Sequence, residues 1–307
     1  MERIAYLGRT IYRWQVGASS FLALPEAGAR LMNWNVTLGD GTVRDILYWP
    51  EVRSMEEFAR VRGGNPILFP FCGRSFDGGQ VDSWRDDRGE RRRMPRNGFA
   101  RESAFRVIRL DGGGFSAQLE AGEEAKAAYP YDYEFVVSYR FEPLGVFVEL
   151  QLTNLGRTPM PWSAGHHFYF TVPWSGGLNR DDYVLEVPAG RSVRQDFETG
   201  RLVDGPRLVA RETLSDQELV DAIQTELRRP GFRLTEAPTG GGLDFDIGFT
   251  NTSGRDAAVV TWTAEDVSPY YCIEPWMGPP NGAETKVGLH HVGPGQTQKF
   301  TVEIRVR

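Results

Sequence analysis

The sequence predicts an all-β protein, a large antiparallel β-sandwich with a few short helices. Apolar and polar residues alternate over long segments, as expected for strands with one buried face. Clusters of Gly, Pro, Asn and Asp separate these segments and favour tight turns. No repeat, low-complexity linker or shift in composition marks a boundary. Because sandwiches often exceed the usual domain size, we expect residues 1–307 to form one domain.

The clearest predicted hairpin lies between residues 135 and 152. One face of each strand is apolar, with Phe135, Val137, Tyr139 and Phe141 on the first strand and Val146, Val148, Leu150 and Leu152 on the second. Residues 142–145 supply the turn between them. The same alternation at Phe300, Val302, Ile304 and Val306 predicts a strand at the end of the sequence.

Helical patterns are few. Leu219, Val220, Ile223 and Leu227 can share one helical face. The segment follows Ser215, has Glu218 in position for a capping box, and stops at Pro230-Gly231, so it predicts one helix. A second short helix is expected within residues 51–60.

Composition restricts the partners. The 35 Lys and Arg residues against 41 Asp and Glu give a net charge of -6, which disfavours nucleic acid. No apolar stretch has the length of a secretory signal core or a membrane span, so we expect a cytoplasmic protein with no membrane partner. Cys72 and Cys272 are too few for a disulfide framework and lack close metal-binding spacing, which predicts buried free thiols.

The segment 165–170 (GHHFYF) contains two adjacent histidines, and adjacent strand residues point to opposite faces. His167 shares a face with Tyr169, whereas His166 shares the other face with Phe168 and Phe170. His167 is therefore the more polar-faced candidate for a site. An aromatic core strand with a hydrogen-bonded histidine would show the same pattern, so the segment alone leaves this role open.

A second segment places a carboxyl group among large apolar side chains. Alternation puts Tyr270, Cys272, Glu274 and Trp276 on one strand face. Removal from water would raise the pKa of Glu274 toward the range useful for proton transfer. The alternative is a surface glutamate at the end of a strand before a Pro-rich loop.

Several motifs follow one another in order: residues 65–74 (NPILFPFCGR), 98–101 (GFAR), 167–170 (HFYF), 246–249 (DIGF), 272–276 (CIEPW) and 278–281 (GPPN). Together they resemble the aldose 1-epimerase, or galactose mutarotase, superfamily. The resemblance spans nearly the whole chain, and the large β-sandwich of that family agrees with the alternation above.

The resemblance implies an acid–base reaction without cofactor or metal. Glu274 would take the proton of the anomeric hydroxyl while His167 gives a proton to the ring oxygen, and the sugar ring opens. Rotation about the bond between the first two carbons and closure with reversed roles would give the other anomer. Both groups are needed because expelling an alkoxide is costly unless its charge is neutralised as it develops.

The resemblance also implies a set of sugar-binding residues. Arg74 matches the family's substrate-binding arginine, with a structural ion pair as the alternative, and Asp246 matches an aspartate that accepts hydrogen bonds from sugar hydroxyls. Asp244 lies on the same strand face and is the other candidate for that aspartate. Tyr169 and Trp276 are expected to line the pocket, although packing explains Tyr169 equally well.

Asn97 departs from the family pattern, which commonly has a histidine before Gly98. Asn97 can donate and accept hydrogen bonds to orient a substrate but cannot become a cation, so the rate and the sugar preference stay open. His166 cannot replace the missing histidine because it faces away from His167. The departure also motivates an alternative, a carbohydrate-binding protein with weak catalysis.

A second alternative is a hexose-6-phosphate epimerase. Residues 62–66 (RGGNP) resemble that branch, and Arg85, Arg88, Arg91, Arg92, Arg93 and Arg96 could bind a phosphate. The competing interpretation is a solvated loop, since Asp86, Asp87 and Glu90 offset part of the charge. A glycoside-processing enzyme is disfavoured because Glu274 lacks a convincing carboxylate partner. The expected ligand is a sugar or sugar phosphate, and the expected state is a monomer or homodimer.

Overall fold

A computed structural model describes residues 1–206, 211–250 and 256–307. Strands dominate this part of the chain. Strands β1 to β10 are Glu2–Tyr6, Arg9–Val16, Ser19–Leu24, Arg30–Thr37, Val43–Leu47, Ile67–Leu68, Phe76–Asp77, Gln80–Val81, Ser83–Arg85 and Arg91–Arg93. Strands β11 to β20 are Ala104–Asp111, Gly114–Glu120, Tyr133–Glu142, Gly145–Asn154, Met160–Trp162, Gly165–His166, Phe168–Thr171, Tyr183–Glu186, Arg191–Gln195 and Leu202–Asp204.

The remaining elements complete the second half of the described chain. Strands β21 to β28 are Glu212–Thr213, Ala222–Thr225, Gly231–Glu236, Gly242–Phe249, Ala258–Trp262, Tyr270–Trp276, His290–Val292 and Thr297–Val306. The α-helices are α1 (Glu123–Ala128) and α2 (Gly282–Thr285), and 3₁₀ turns occupy Phe58–Arg60, Ala100–Glu102, Arg180–Asp182 and Gln217–Leu219.

Two antiparallel sheets form the body of the described structure. The larger has the strand order β1-β2-β3-β4-β5-β17-β26-β25-β22-β19-β20, with β16 joining β26 to β6. The other has the order β11-β12-β13-β14-β28-β24-β23-β18-β21. Short pairs β7-β8, β9-β10 and β15-β27 lie beside them. The all-β prediction is confirmed.

Aromatic side chains from both sheets meet in a common core. The Phe21 ring of β3 stacks on Phe141 of β13 with centroids 4.3 Å apart, and Phe170 of β17 meets Phe245 of β24 edge to face at 5.3 Å. Burying such large apolar surfaces is the main favourable term in folding. We call the opposite side of the larger sheet, which faces away from this core, its outer face.

The predicted hairpin and final strand are confirmed. Strands β13 and β14 pair from Tyr133 with Asn154 to Glu142 with Gly145. The side chains predicted to point inward are all buried. Strand β28 pairs with β14 and buries Phe300 and Ile304 in the same core.

The predicted helix after Ser215 is wrong. A 3₁₀ turn ends at Leu219, and Ile223 lies in β22, which pairs with β19 and β25. Leu219 and Ile223 are both buried, but their spacing of four fits two strand repeats as well as one helical turn. Within residues 51–60 the structure forms only the 3₁₀ turn Phe58–Arg60 rather than an α-helix.

Both cysteines are buried free thiols, as predicted. None of the helices in the described ranges has the length and apolar character needed to cross a bilayer.

Candidate functional site

The candidate site lies on the outer face of the larger sheet. Strands β17 and β26 pair with Phe168 opposite Ile273, and both of these side chains enter the core. Period-two alternation therefore sends the neighbouring His167 and Glu274 to the outer face. This agrees with the faces predicted from the sequence, and it places an imidazole beside a carboxyl group on adjacent strands.

A pocket of about 320 Å³ opens above this part of the sheet. Its floor crosses strands β26, β25, β22 and β19, and its walls come from the loops around them. The lining residues are Gly73, Arg74, Arg96, Asn97, His167, Arg194, Gln195, Phe197, Val220, Asp221, Ile223, Val260, Trp262, Glu274, Trp276 and Pro280. Such a volume is at the small end of ligand sites and suits one small molecule.

His167 and Glu274 form a close pair in the pocket. The Nε2 atom of His167 lies 3.4 Å from Oε1 of Glu274, and the two residues are only 8% and 2% exposed. The indole Nε1 of Trp276 donates a hydrogen bond of 3.2 Å to Oε2 of the same carboxyl group. The carboxyl group is thus held between two ring nitrogens, and Trp276 both lines the pocket and orients Glu274.

Burial shifts both members of the pair toward their neutral forms. Loss of water raises the pKa of Glu274 well above its ordinary value, although the Trp276 hydrogen bond and the charge of Arg96 oppose this. Loss of water also lowers the pKa of His167 to about 3, helped by the positive charges of Arg96 and Arg101. In the absence of a ligand, we therefore expect a neutral carboxylic acid beside a neutral imidazole.

A buried amide fixes the backbone beneath His167. Asn65 is fully buried, and its Oδ1 accepts a hydrogen bond from the His167 backbone N–H at 3.2 Å. Its Nδ2 donates to the Tyr139 hydroxyl at 2.8 Å and lies 3.1 Å from Nδ1 of His166. His166 faces the core, as predicted, and stacks near Phe300 with centroids 5.8 Å apart. This network holds the strand so that only His167 faces the pocket.

Tyr169 supports the site without lining the pocket. Its ring stacks on the His167 imidazole at 4.7 Å and an angle of 11°. It is buried in an outer-face cluster with Tyr270 and Cys272. The structure thus favours the packing alternative for Tyr169 over direct contact with a ligand.

Arg74 lines the pocket, and Asn97 fixes the turn before it. Oδ1 of Asn97 accepts a hydrogen bond of 2.7 Å from the Gly73 backbone N–H, and the Asn97 N–H donates to the Gly73 carbonyl at 2.8 Å. Asn97 adopts a left-handed backbone with φ of 66°, which asparagine tolerates better than most residues. Its amide oxygen is therefore committed to the loop that presents Arg74.

Asp246 does not line the pocket, so the prediction that it is a sugar-binding residue is corrected. It belongs to β24 of the other sheet, where Phe245 and Ile247 enter the core. Alternation turns Asp246 away from that core, and the residue is exposed. Asp244 shares its orientation and forms ion pairs with Arg233 and Arg307 instead. Neither carboxylate shares the face that bears His167 and Glu274.

The aspartate that does line the pocket is Asp221. It stands between the 3₁₀ turn and β22 with φ of 57°. The sequence pattern predicts a helix here, and a helical Asp221 has no defined position relative to the sheet. Asp221 could therefore not be predicted as a site residue. A signal that could have found it is the short apolar segment 222–223 directly after a polar residue, which is also typical of a strand start.

Most of the predicted phosphate-binding arginines lie outside the pocket. Arg85 and Arg91 pair with Asp77, and Arg92 pairs with Asp86 and Glu90. Arg88 and Arg93 are exposed and do not line the pocket.

Arg96 is the member of that loop set that lines the pocket, and two arginines from elsewhere join it. Arg194 donates to the carbonyl and carboxylate of Glu218. Arg74 and Arg96 have no carboxylate partner within the described residues. Three guanidinium groups thus surround the candidate site, and sequence spacing could not bring them together.

A thiol also lies next to the acid–base pair. Cys272 precedes Glu274 by two residues and shares its strand face. Ligand atoms of His167, Cys272 and Glu274 all lie within 4.8 Å of one another. The sequence alone predicts no metal site, because Cys72 and Cys272 lack close metal-binding spacing.

Comparison with known proteins identifies the family of this chain. The family model described as aldose 1-epimerase matches residues 11–276. The chromosomal Protein LacX of Lactococcus lactis subsp. lactis is 28% identical over 263 residues, which cover 80% of this chain and 85% of that protein.

Solved structures share the fold at low sequence identity. A galactose mutarotase-like protein from Clostridium acetobutylicum superposes with a TM-score of 0.79 at 18% identity, covering 100% of this chain and 98% of that one. A galactose mutarotase related enzyme from Lactobacillus acidophilus has a TM-score of 0.76 at 21% identity and 97% coverage of both chains. Because the family model matches most of its length, this chain belongs to the aldose 1-epimerase family.

Proposed function

We propose that this protein is an aldose 1-epimerase that interconverts the α and β anomers of a hexose. The observation that carries the proposal is the buried pair His167–Glu274, with 3.4 Å between nitrogen and oxygen, in a pocket sized for one small molecule. Trp262 and Trp276 also line this pocket and offer aromatic faces for the apolar side of a sugar ring.

The reaction needs one base and one acid at opposite ends of the hemiacetal. The Glu274 carboxylate accepts the proton of the anomeric hydroxyl, and the His167 imidazolium donates a proton to the ring oxygen. The bond between the anomeric carbon and the ring oxygen breaks as the carbonyl forms. After rotation of the open chain, the ring hydroxyl adds to the other carbonyl face and both protons return.

The proton count of the pair is consistent with this chemistry. A neutral Glu274 beside a neutral His167 holds the same number of protons as a carboxylate beside an imidazolium. Transfer of one proton across the 3.4 Å gap converts the first form into the second. Sugar hydroxyls that enter the pocket would stabilise the charged form by hydrogen bonding, as polar groups do for any buried ion pair.

Anomer exchange measured by NMR or polarimetry tests the proposal. Freshly dissolved glucose and galactose should equilibrate faster with the wild-type protein, and Glu274→Gln and His167→Asn should each lose most of the acceleration, roughly 10²–10⁴-fold for a lost acid or base. Asp246→Asn is the matched control on the other sheet. Near-wild-type activity in Glu274→Gln would refute the assignment, whereas tight sugar binding without acceleration by the wild type would support the carbohydrate-binding alternative.

A hexose 6-phosphate is a second candidate substrate, favoured by the arginines Arg74, Arg96 and Arg194. Arg194 pairs with Glu218, whereas Arg74 and Arg96 have no carboxylate partner within the described residues, so two lining guanidinium groups are available to a phosphate. Guanidinium groups bind phosphate oxygens in bidentate geometry, which a neutral sugar does not require.

A comparison of substrates and arginine variants separates the two candidates. Exchange of glucose and of glucose 6-phosphate is measured with wild type, Arg96→Met and, as a matched control, Arg85→Met, whose arginine pairs with Asp77 outside the pocket. Exchange only with the phosphate, weakened by Arg96→Met and not by Arg85→Met, would support the second candidate. Equal use of free glucose by all three proteins would argue for the neutral sugar.

A further inference from the structure

We propose that His167, Cys272 and Glu274 form a binding site for a borderline divalent metal ion such as Zn²⁺, and that this ion blocks the acid–base pair. Their ligand atoms, one from each side chain, lie within 4.8 Å of one another, and all three residues are buried. The proposal concerns inhibition, because the anomer exchange proposed above uses only proton transfer.

The strands hold the three side chains in place. Cys272 and Glu274 stand two residues apart on β26, so both point to the outer face. His167 lies on the neighbouring chain segment, just before the pairing of Phe168 with Ile273. The Tyr169 ring stacks on the imidazole and restricts its rotation. Two ligands therefore stand on β26, and the third lies between β16 and β17, which both pair with β26, so the backbone around all three is fixed.

One of the three groups has an unmet hydrogen bond, and a second is a thiol enclosed by aromatic rings. Nδ1 of His167 is buried without a hydrogen-bond partner among the described residues. The Cys272 side chain is fully buried and packs in an aromatic cluster with Tyr169 and Tyr270. A buried imidazole nitrogen with an unmet hydrogen bond is unusual, since most such groups are paired. The other ring nitrogen, Nε2, lies 3.4 Å from Oε1 of Glu274 and is the atom placed to share a metal ion with that carboxylate.

The ligand chemistry selects the class of ion. Imidazole, thiolate and carboxylate together suit Zn²⁺, whereas the thiolate disfavours Mg²⁺ and Ca²⁺. In a tetrahedral zinc site the ligand atoms stand roughly 3.3–3.8 Å apart. Because the three ligand atoms already lie within 4.8 Å of one another, side-chain movements of up to about 1 Å would complete the geometry. Binding releases the thiol proton and the carboxyl proton to solvent. His167 and Glu274 line the pocket, so a water molecule on that side could complete the coordination.

Cobalt titration of the full-length protein tests the site without any sugar. Co²⁺ bound to a thiolate gives a charge-transfer band in the near ultraviolet, and Zn²⁺ should displace it. We expect this band in wild type and in Cys72→Ser, the matched control for a second buried thiol. Cys272→Ser should lack it and bind Zn²⁺ more weakly by roughly tenfold or more.

A second measurement covers variants that fold poorly. Circular dichroism and melting curves show whether each variant is folded. Cys272→Ala and His167→Asn each remove one proposed ligand independently of Cys272→Ser. An unchanged cobalt spectrum in a folded Cys272 variant, or saturation of the wild type only at millimolar metal, would overturn the proposal.

The inhibitory consequence rests on the proposed function and is measured separately. Zn²⁺ at micromolar concentration should slow anomer exchange by wild type and Cys72→Ser, each compared with its own zinc-free rate. In Cys272→Ser, half-inhibition should require roughly tenfold more zinc or beyond. If no sugar is exchanged by any variant, the proposed function fails while the cobalt band still decides the metal site. Equal zinc sensitivity in all three proteins would contradict the block.

Discussion

Nε2 of His167 faces Oε1 of Glu274 across 3.4 Å, and the other oxygen of that carboxyl group accepts a hydrogen bond from Trp276. Both residues are excluded from water, so each is driven toward its neutral form. In the neutral form the proton lies on Glu274. In the proposed reaction a polar ligand favours its transfer to His167, which produces the carboxylate and the imidazolium that the reaction uses.

Replacing Glu274 by Gln should remove activity and increase stability. Because burial raises the pKa of Glu274, the unfolded chain ionises this group above its ordinary pKa while the folded protein does not. Stability is therefore lost as pH rises through and above the ordinary glutamate range. Gln has no such penalty and can still accept the Trp276 hydrogen bond.

Melting curves at neutral and mildly acidic pH check this prediction, together with anomer exchange. The melting temperature of Glu274→Gln should exceed that of wild type near neutral pH, and the difference should shrink on acidification. A variant that is less stable than wild type at neutral pH would contradict the neutral buried acid.

Acid should destabilise the protein through two of its buried histidines, His166 and His167. Burial lowers the pKa of both His166 and His167 to about 3 from an ordinary value of 6.5. Between these values the unfolded chain binds protons that the folded protein does not, so stability is full above 6.5 and falls as pH drops toward 3. Each histidine contributes a slope of about 1.4 kcal/mol per pH unit.

Denaturant unfolding across this pH range measures the slope. His166→Phe keeps an aromatic ring between Phe168 and Phe300 and removes one titrating group. Its slope should be smaller than that of wild type by about one proton. Identical slopes in the two proteins would show that His166 is not the source.

Asp221 should matter for sugar binding, whereas Asp246 should not. Asn can adopt the left-handed backbone of Asp221, so Asp221→Asn changes the charge with little strain. Loss of a charged hydrogen-bond acceptor costs about 1.5–3 kcal/mol, which corresponds to roughly 10–100-fold in kcat/KM. Asp246→Asn is the same chemical change on the exposed face of the other sheet.

Steady-state anomer exchange over a range of sugar concentrations compares the two variants. Asp221→Asn should raise KM, and Asp246→Asn should match wild type. The reverse order would restore Asp246 as the sugar-binding aspartate.

Asn97 should act first on the loop that carries Arg74. Asn97→Ala loses the acceptor for the Gly73 N–H. It also places alanine in the left-handed backbone region, which alanine tolerates less well than asparagine. The two losses together should cost about 2–3 kcal/mol of folding stability. Asn97→Asp keeps the acceptor and tolerates this backbone, so it should retain stability but lack the amide donor.

Chemical denaturation and sugar titration distinguish these contributions. Weak sugar binding by a stable Asn97→Asp would assign the amide donor to the ligand. Wild-type sugar binding by this variant would restrict Asn97 to positioning Gly73 and Arg74.

Local alternation predicted the strand faces on which the acid–base pair lies. His167 shares a strand face with Tyr169, and Glu274 shares one with Trp276, because side chains alternate along every extended strand. Strands β17 and β26 pair through their backbones, which brings His167 close to Glu274. Motif order supplied the family, and the family model matches residues 11–276.

Residues on turns and loops escaped prediction for a different reason. The four-residue spacing of Leu219 and Ile223 satisfies helix and strand equally, so the position of Asp221 depended on pairing between β22 and its neighbours. The motif 246–249 (DIGF) indicated Asp246 as the sugar-binding aspartate, yet its strand belongs to the other sheet. Ion pairing with Asp77 and Asp86 likewise decided which loop arginines are committed elsewhere.

The amino-acid sequence by itself determined the all-β architecture and the faces of the strands, because both follow from a period of two along the chain. The resemblance of its ordered motifs to a family then singled out His167 and Glu274 as the acid–base candidates. Only the tertiary structure decided that Asp221 rather than Asp246 lines the pocket, that Arg74, Arg96 and Arg194 converge on it, and that Cys272 lies within reach of His167. These relationships join segments distant in sequence, and strand order and packing, rather than local pattern, bring such segments into contact.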